Sequence, residues 1–203
     1  MTRGSGGLKI TGGDLRGRSL HTPPGEILRP MRSQVRQALF NVLGPEVEEA
    51  RVLDLFSGSG CLGLEAISRG ASHAVLVERA ARCVAVIERN VATFGVGDRI
   101  TVRRHDLNLG VASLVAEGPF DLVLIHPPFE LLGRSTQPSQ ALDVAALLCS
   151  LPAQAGLLSP SAALAFETPR GCYPDPKESL PGLEIERRKD YGSTTLFVAR
   201  AAV

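Results

Sequence analysis

The stretch RVLDLFSGSG, residues 51–60, decides the fold predicted for this chain. Its first six residues form a short apolar run, and two glycines, Gly58 and Gly60, follow almost at once. A buried strand that ends in a tight loop has this pattern, because glycine lets the backbone turn sharply and lets a ligand approach the main chain. We therefore expect a buried strand, then a ligand-binding loop, then a helix.

Outward from this loop, apolar runs and helical stretches alternate along the chain. Strands are predicted at residues 51–56, 74–78, 100–104, 120–125 and 162–167, and helices at 33–43, 61–69, 79–94 and near 138–149. Strands that are apolar on both faces and separated by helices form a parallel sheet covered on both sides. Two further strands, at 184–191 and 194–199, are predicted to form a terminal hairpin that adds an antiparallel strand. The expected fold class is α/β, with a mostly parallel, seven-stranded, Rossmann-like sheet.

Composition restricts the class of protein. The chain has 203 residues, of which 44% are hydrophobic and 21% charged, as in a soluble globular domain. No run approaches the roughly 18 apolar residues of a membrane span, and residues 1–7 lack the apolar core of a signal peptide. We expect a cytoplasmic protein with no membrane partner. The four cysteines and four histidines lack metal-ligand spacing, so no metal site is predicted.

The first forty residues are basic. They hold seven basic and two acidic side chains, a net charge of +5, whereas the whole chain carries +1. Glycines and prolines interrupt this region, and residues 8–10 and 18–22 are predicted to form a small β-hairpin. A basic arm on a near-neutral body indicates contact with a polyanion at one end, although a merely solubilising surface has the same composition.

Acidic residues follow three successive predicted strands and indicate which ligand the loop binds. Asp54 stands just before the loop, where a carboxylate attracts the amino group of an amino-acid moiety. Glu78 and Asp106 are placed to accept hydrogen bonds from ribose hydroxyls and an adenine amine. Each carboxylate alone is equally a helix cap or a loop residue, but the recurrence favours S-adenosylmethionine. The predicted cofactor-binding residues are Asp54, Phe56, Ser57, Gly58, Ser59, Gly60, Glu78, Asp106 and Leu107. A dinucleotide is disfavoured for two reasons. The loop is expected to lack the third glycine of G-x-G-x-x-G, since Leu62-Gly63 follows instead, and Asp54 would repel a pyrophosphate.

The fourth predicted strand ends in His126-Pro127-Pro128-Phe129. This resembles the [DN]-P-P-[FYW] motif of amino-methyltransferases. The resemblance implies that His126 and the Pro127 carbonyl accept hydrogen bonds from a target NH₂ group, while the ring of Phe129 stacks on the base. Such contacts orient the nitrogen lone pair toward the methyl group. Pro128 and its neighbour stiffen the loop. The predicted catalytic residues are therefore His126, Pro127, Pro128 and Phe129.

Further motifs narrow the resemblance. The sequence is similar to the bacterial 16S rRNA guanine-N2 methyltransferase family in six stretches. They are Gly12-Gly13-x-x-Arg16-Gly17-Arg18, Leu28-Arg29-Pro30, Val35-Arg36, Leu39-Phe40-Asn41, Gly58-Ser59-Gly60-x-Leu62-Gly63-Leu64-Glu65-Ala66 and Tyr191-Gly192-x-Thr194. The likeness spans nearly the whole chain. It implies a class I methyltransferase fold over residues 33–203, preceded by a basic, RNA-facing hairpin extension over residues 1–32.

The same resemblance implies the partner and its contacts. The expected substrate is a guanine amine of 16S rRNA in the small ribosomal subunit or its assembly intermediate, bound by a monomer. The residues expected to contact the RNA backbone are Arg16, Arg18, Arg29, Arg32 and Arg36. The flipped guanine would stack on Phe129.

The sequence departs from the family at Met31 and Gln34, where the family tends to have Thr and Arg, and at one central position, where His126 replaces the usual aspartate. Aspartate is an anionic acceptor, whereas a neutral imidazole offers one acceptor nitrogen and a protonated imidazole none. Three alternatives therefore stand beside the leading hypothesis. They are an S-adenosylmethionine-binding, RNA-binding assembly protein with little catalysis, an amino-methyltransferase for DNA, and a dinucleotide-dependent oxidoreductase. The DNA alternative is disfavoured because 203 residues leave no room for a target-recognition domain.

Overall fold

A computed structural model describes residues 7–23, 31–128, 131–132, 143–173 and 176–202. These residues form one seven-stranded sheet. Its strands are β1 (Arg51–Leu55), β2 (His73–Glu78), β3 (Ile100–Arg104), β4 (Phe120–Ile125), β5 (Leu158–Pro169), β6 (Leu183–Tyr191) and β7 (Thr194–Ala201). The α-helices are α1 (Ser33–Leu43), α2 (Cys61–Ser68), α3 (Ala81–Phe94), α4 (Val144–Ser150) and α5 (Pro176–Ser179).

The strand order places the carboxyl ends of five parallel strands side by side. The order is β3-β2-β1-β4-β5-β7-β6, in which β1 to β5 are parallel and β7 is antiparallel to both of its neighbours. This confirms the predicted α/β sheet with an antiparallel C-terminal hairpin. Because the order reverses between β1 and β4, a crevice for ligands is expected at their carboxyl ends.

Both faces of the sheet are buried, as the unbroken apolar strands predict. Alternate residues of β4 divide between two hydrophobic clusters. Leu122 and Leu124 pack with side chains of α1, α2 and α3. Val123 and Ile125 pack on the opposite face with side chains of α4. Burial of both faces fixes the register, because a shift of one residue would exchange the two sets.

Several boundaries differ from those predicted. The strand β1 ends one residue early because Phe56 adopts a left-handed conformation, with φ of 64°. The strand β5 is longer at both ends than predicted. The helix expected near residues 138–149 begins at Val144, and residues 133–142 lie outside the described part. In the described ranges, no helix has the length and apolar character needed to cross a bilayer.

The N-terminal hairpin is present in reduced form. The described residues show one bridge pair, Lys9 with Ser19, rather than two full strands. Backbone hydrogen bonds from Ile10 N to Arg18 O (3.0 Å) and from Leu20 N to Leu8 O (2.8 Å) close it. Ile10 and Leu20 are buried in the same cluster as α1 and the sheet. The hairpin therefore packs directly on α1 and the sheet.

A buried amide joins this hairpin to the glycine loop. Asn90 of α3 is fully buried, and its Oδ1 accepts a hydrogen bond from His21 N at 2.8 Å. Its Nδ2 donates to His21 O and to Ser59 O, each at 3.0 Å. One side chain thus holds the end of the hairpin and the backbone of the loop in a fixed relation.

Candidate active site

The loop after β1 turns through left-handed conformations, as its glycines predict. Phe56, Gly58 and Gly60 have φ of 64°, 59° and 77°. Only glycine adopts such angles without strain, so Phe56 is held there at a cost of about 1 kcal/mol. Strain at one non-glycine residue of a ligand loop indicates that the surrounding structure dictates the loop's shape. The peptide N–H of Ser57 donates to Val77 O (3.0 Å), which ties the loop to β2.

A third glycine brings α2 against the sheet. A Cβ atom at Gly63 would lie 2.7 Å from Leu76 Cδ1, closer than carbon atoms approach. Gly58, Gly60 and Gly63 therefore complete the spacing G-x-G-x-x-G, which dinucleotide-binding folds also use, so the expectation that the third glycine is missing was wrong. Glycine spacing does not separate the two classes of cofactor here. The acidic residue just before the loop, Asp54, is the feature that separates them.

That residue, Asp54, is completely buried at the end of β1. Its Oδ2 accepts a hydrogen bond from Gly63 N at 3.0 Å. Its Oδ1 has no hydrogen-bond partner among the residues that the structure describes. Burial, with a smaller contribution from the charge of Glu78, raises the pKa of the Asp54 carboxyl from 3.8 to about 7. A buried acceptor without a donor is costly, so the site fits a ligand that brings a cationic N–H group.

Glu78 and Asp106 lie at the ends of the next two strands, and both are engaged locally. Glu78 accepts hydrogen bonds from Gly58 N (3.0 Å) and Ala80 N (2.8 Å), which fixes the glycine loop against β2. Asp106 Oδ1 accepts from the backbone and side chain of Asn108, at 3.0 and 2.8 Å. Asp106 thus caps a short turn that begins at the buried Leu107. Ionised carboxylates have further lone pairs, so both remain able to accept from a ligand.

His126 follows β4, directly beside the end of β1. Leu55 pairs with Ile125, and His126 N lies 3.5 Å from Leu55 O. The imidazole Nδ1 lies 3.2 Å from Oε2 of Glu167, and the two side chains are only 15% and 4% exposed. Pro127 is buried and Pro128 exposed. Phe129 lies outside the described residues. The glycine loop and the H-P-P segment are therefore neighbours at one edge of the sheet.

One predicted RNA contact is wrong. Arg36 is fully buried, and its Nε lies 3.2 Å from Glu65 Oε2. Its guanidinium also donates to the carbonyl oxygens of Met31 (3.2 Å) and Lys9. A side chain enclosed in this way has no surface to offer a phosphate. The sequence-based expectation failed because Arg36 lies in a basic region but on the inward face of α1.

The other arginines predicted to contact RNA differ in their contacts within the protein. Arg18 is exposed, yet its guanidinium donates to Thr93 O (2.5 Å) and Phe94 O (3.3 Å) and lies 4.4 Å from the centre of the Phe94 ring. It holds the hairpin against the end of α3, where a cation is favoured. Arg16 and Arg32 are exposed, and Arg32 donates to Tyr191 O at 3.4 Å. Arg29 lies outside the described residues. RNA contact by Arg16, Arg18, Arg29 and Arg32 stays a prediction.

Comparison with known proteins identifies the family. The family described as "Conserved hypothetical protein 95" matches residues 8–200. The chain belongs to this family. A relative in Haemophilus influenzae, "Ribosomal RNA small subunit methyltransferase D", is 30% identical over 164 residues, which cover 80% of this chain and 79% of the relative. The protein of the same name in Escherichia coli K12 is 40% identical over 127 residues, 62% of each chain. This match thus spans less than two thirds of that relative.

Solved structures support the same family. The structure titled "Putative methyltransferase yhhF from Escherichia coli" is 30% identical, covers 96% of this chain and 97% of its own, and has a TM-score of 0.73. A hypothetical protein of Thermus thermophilus is 31% identical over 94% of this chain and 98% of its own, also with a TM-score of 0.73. The predicted class I methyltransferase fold and the family resemblance are confirmed.

Sequence reasoning missed Glu167. It is the single acidic residue in an otherwise apolar run at the end of β5. Asp54 and Glu78 were found from that same signal on β1 and β2. The β4–β5 pairing, Ile125 with Phe166, brings Glu167 beside His126 across 41 positions of sequence. The signal was present, but its partner is evident only once the strand order is known.

Proposed function

We propose that this protein is an S-adenosylmethionine-dependent methyltransferase that acts on a base amine of ribosomal RNA. The specific substrate that we propose is N2 of a guanine in 16S rRNA, in the small ribosomal subunit or its assembly intermediate. One observation carries the proposal. An unsatisfied buried carboxylate oxygen of Asp54 lies at the end of β1, beside the glycine loop, and the His126-Pro127-Pro128 segment follows the adjacent strand β4. A methyl donor and an amine acceptor would thus meet at the switch point of the sheet.

Each of the predicted cofactor-binding residues would contact a different part of the cofactor. Asp54 would receive its amino group, Glu78 its ribose hydroxyls and Asp106 its adenine amine. Phe56, Ser57, Gly58, Ser59, Gly60 and Leu107 would line the remainder of the site. When bound, S-adenosylmethionine supplies an electrophilic methyl group. The chain's contribution is then to hold the target amine in line and to accept hydrogen bonds from it, through His126 and the Pro127 carbonyl.

The RNA would be held by exposed cations of the hairpin and of the residues before α1. Arg16 and Arg32 are the described, exposed members of the predicted set, and Arg18 and Arg29 complete it. These contacts to phosphate position the substrate and carry no sequence information. The names of the relatives, which refer to the small ribosomal subunit, support this choice over a DNA substrate.

The direct test is mass spectrometry of 16S rRNA nucleosides from the parent strain and from a strain without this gene. We expect N2-methylguanosine at one site to disappear and to return when the wild-type gene is restored. Purified protein should also transfer label from S-adenosylmethionine to rRNA of the deletion strain. An unchanged nucleoside profile together with tight cofactor binding would instead favour the non-catalytic RNA-binding alternative.

Substituting His126 tests the acceptor at the target amine. We expect His126→Asp to keep or raise the rate of methyl transfer to rRNA of the deletion strain, because aspartate is a stronger acceptor. His126→Leu, which removes the acceptor, should lower kcat about 100-fold. Single-turnover transfer from labelled cofactor measures both variants. If His126→Asp abolished a robust wild-type activity, the acceptor role would be wrong.

A further inference from the structure

His126, directly after β4, lies opposite Glu167 of the adjacent parallel strand β5. Because Ile125 pairs with Phe166, the next residue on each strand is also opposite its neighbour. Side chains alternate along a strand, so His126 and Glu167 point to the face that holds Leu124 and Ala165, which is covered by α1 and α2. The 3.2 Å separation of Nδ1 and Oε2 follows from this placement. The register of the two strands brings these side chains together, so the contact does not depend on the conformation of flexible surface groups.

The contact determines where a neutral imidazole carries its proton. A carboxylate only accepts hydrogen bonds, and Glu167 is almost completely buried. With the proton on Nδ1, the N–H lies beside Oε2 at ion-pair distance, although the two atoms are not aligned as a regular hydrogen bond. With the proton on Nε2, a lone pair on Nδ1 would face the lone pairs of the carboxylate in a poorly solvated place, which is unfavourable. The Nδ1–H tautomer is therefore favoured, and the acceptor lone pair lies on Nε2.

We propose that Glu167 is a positioning residue that makes His126 a competent substitute for aspartate. It fixes the tautomer in which Nε2 is the acceptor nitrogen for the target amine. This inference rests on the proposed methyltransferase function and specifies how its central residue acts. An aspartate in the same place would need no such partner, because both of its oxygens are acceptors.

The contact also gives a destination for the proton that the reaction releases. Methyl transfer forms one N–C bond and breaks one S–C bond, and the electron pair of that bond stays on sulfur. The methylated nitrogen then carries an extra proton, which it must lose to become a neutral secondary amine. Nε2 of His126 accepts that proton, the Glu167 carboxylate stabilises the resulting imidazolium, and the proton passes to water as product leaves.

The test is Glu167→Gln, which keeps the shape of the side chain and removes its charge. In the ligand-free protein, ¹⁵N-edited NMR should show the His126 proton on Nδ1 in the wild type and a shift of population toward Nε2–H in the variant. Spectra of His126→Asn identify the His126 signals among the four histidines. The kcat for methyl transfer should fall at least about tenfold, and KM for S-adenosylmethionine should stay within about twofold.

Three matched variants separate positioning from folding. Glu184→Gln alters an exposed glutamate of β6 and should change neither the tautomer nor kcat. Glu167→Asp, which keeps the charge, should recover part of the rate and serves as the readout if Glu167→Gln is poorly folded. In a His126→Asp background, Glu167→Gln should cost at most about twofold in kcat, because aspartate needs no tautomer to be fixed.

The NMR result and the activity result report on different claims. A wild-type imidazole with its proton on Nε2, or a tautomer that Glu167→Gln leaves unchanged, would overturn the positioning role whether or not the protein methylates RNA. A correct tautomer shift in a protein that methylates no RNA would count against the proposed function and leave the His126–Glu167 contact as described.

Discussion

Asp54→Asn is expected to weaken S-adenosylmethionine binding about 10- to 100-fold while leaving the ligand-free protein at least as stable as the wild type at pH 8. A charge-assisted hydrogen bond contributes about 1.5 to 3 kcal/mol, and its loss gives this range of affinity. In the wild type, Gly63 N donates to Oδ2 of Asp54 at 3.0 Å. The side-chain oxygen of asparagine accepts the same hydrogen bond. Isothermal titration calorimetry measures the affinity, and thermal unfolding measures the stability.

The stability difference should depend on pH with a definite sign. Burial raises the pKa of Asp54 to about 7 in the folded protein, against 3.8 without burial. A raised pKa means that ionisation favours the unfolded chain. The contribution of Asp54 to stability is therefore fully present below about pH 4 and is lost as the pH rises through 7. Asp54→Asn should gain stability relative to the wild type over that window, since asparagine does not ionise.

A ligand without the amino-acid moiety provides the control. Methylthioadenosine keeps the adenosine and lacks the amino group, so wild type and Asp54→Asn should bind it equally. If the substitution weakened methylthioadenosine and S-adenosylmethionine to the same degree, Asp54 would be shaping the loop rather than binding the amino group. That result would remove the observation on which the cofactor assignment chiefly rests.

Arg36→Met is expected to lower the free energy of unfolding by about 3 kcal/mol, at the lower end of the 3–5 kcal/mol typical when one partner of a buried ion pair is removed. The lower end is expected because Glu65 keeps a second partner, Arg69 Nε at 2.9 Å. Thr11 also donates to it from its N–H (2.8 Å) and its hydroxyl (2.7 Å). The melting temperature should fall by about 10 °C.

Two variants distinguish this structural role from an RNA contact. Arg36→Met combined with Glu65→Gln removes both charges and should be more stable than Arg36→Met alone, as measured by denaturant unfolding in a double-mutant cycle. Arg32→Met, at an exposed position, should leave the melting temperature unchanged and weaken binding of rRNA. If Arg36→Met weakened RNA binding without loss of stability, the corrected role of Arg36 would itself be wrong.

The parallel strands were predictable because burial on both faces leaves a direct signal. The strands β3 and β4 begin and end at the predicted residues, and β1 differs only at Phe56. The composition of residues 51–56 carries no sign that Phe56 turns left-handed, since aromatic residues rarely do so. That angle depends on the loop being held from outside, by contacts such as Ser57 N with Val77 O.

Site residues could be predicted where the neighbouring sequence marks them. They could not be predicted where their role depends on a partner that is distant in sequence. Asp54 was found because it stands just before the glycine loop, and His126 because it follows an apolar run. The partners of Arg36 and His126 were not, since Glu65 is 29 positions from Arg36 and Glu167 is 41 from His126. Charge counted over residues 1–40 treats every arginine alike, whereas the direction in which α1 faces decides which of them reach solvent.

The side chain of Asn90 couples the position of the hairpin end to that of the glycine loop. Its amide is shared between the His21 peptide and the Ser59 carbonyl, so neither segment can shift without breaking one of its three hydrogen bonds or moving the other segment as well. Each bond broken in a buried place costs about 1 to 3 kcal/mol. The rigidity of the hairpin end is thereby transmitted to the glycine loop. The shape of the glycine loop is therefore maintained in part by a stretch of chain almost forty residues earlier, which no account of the loop alone would include.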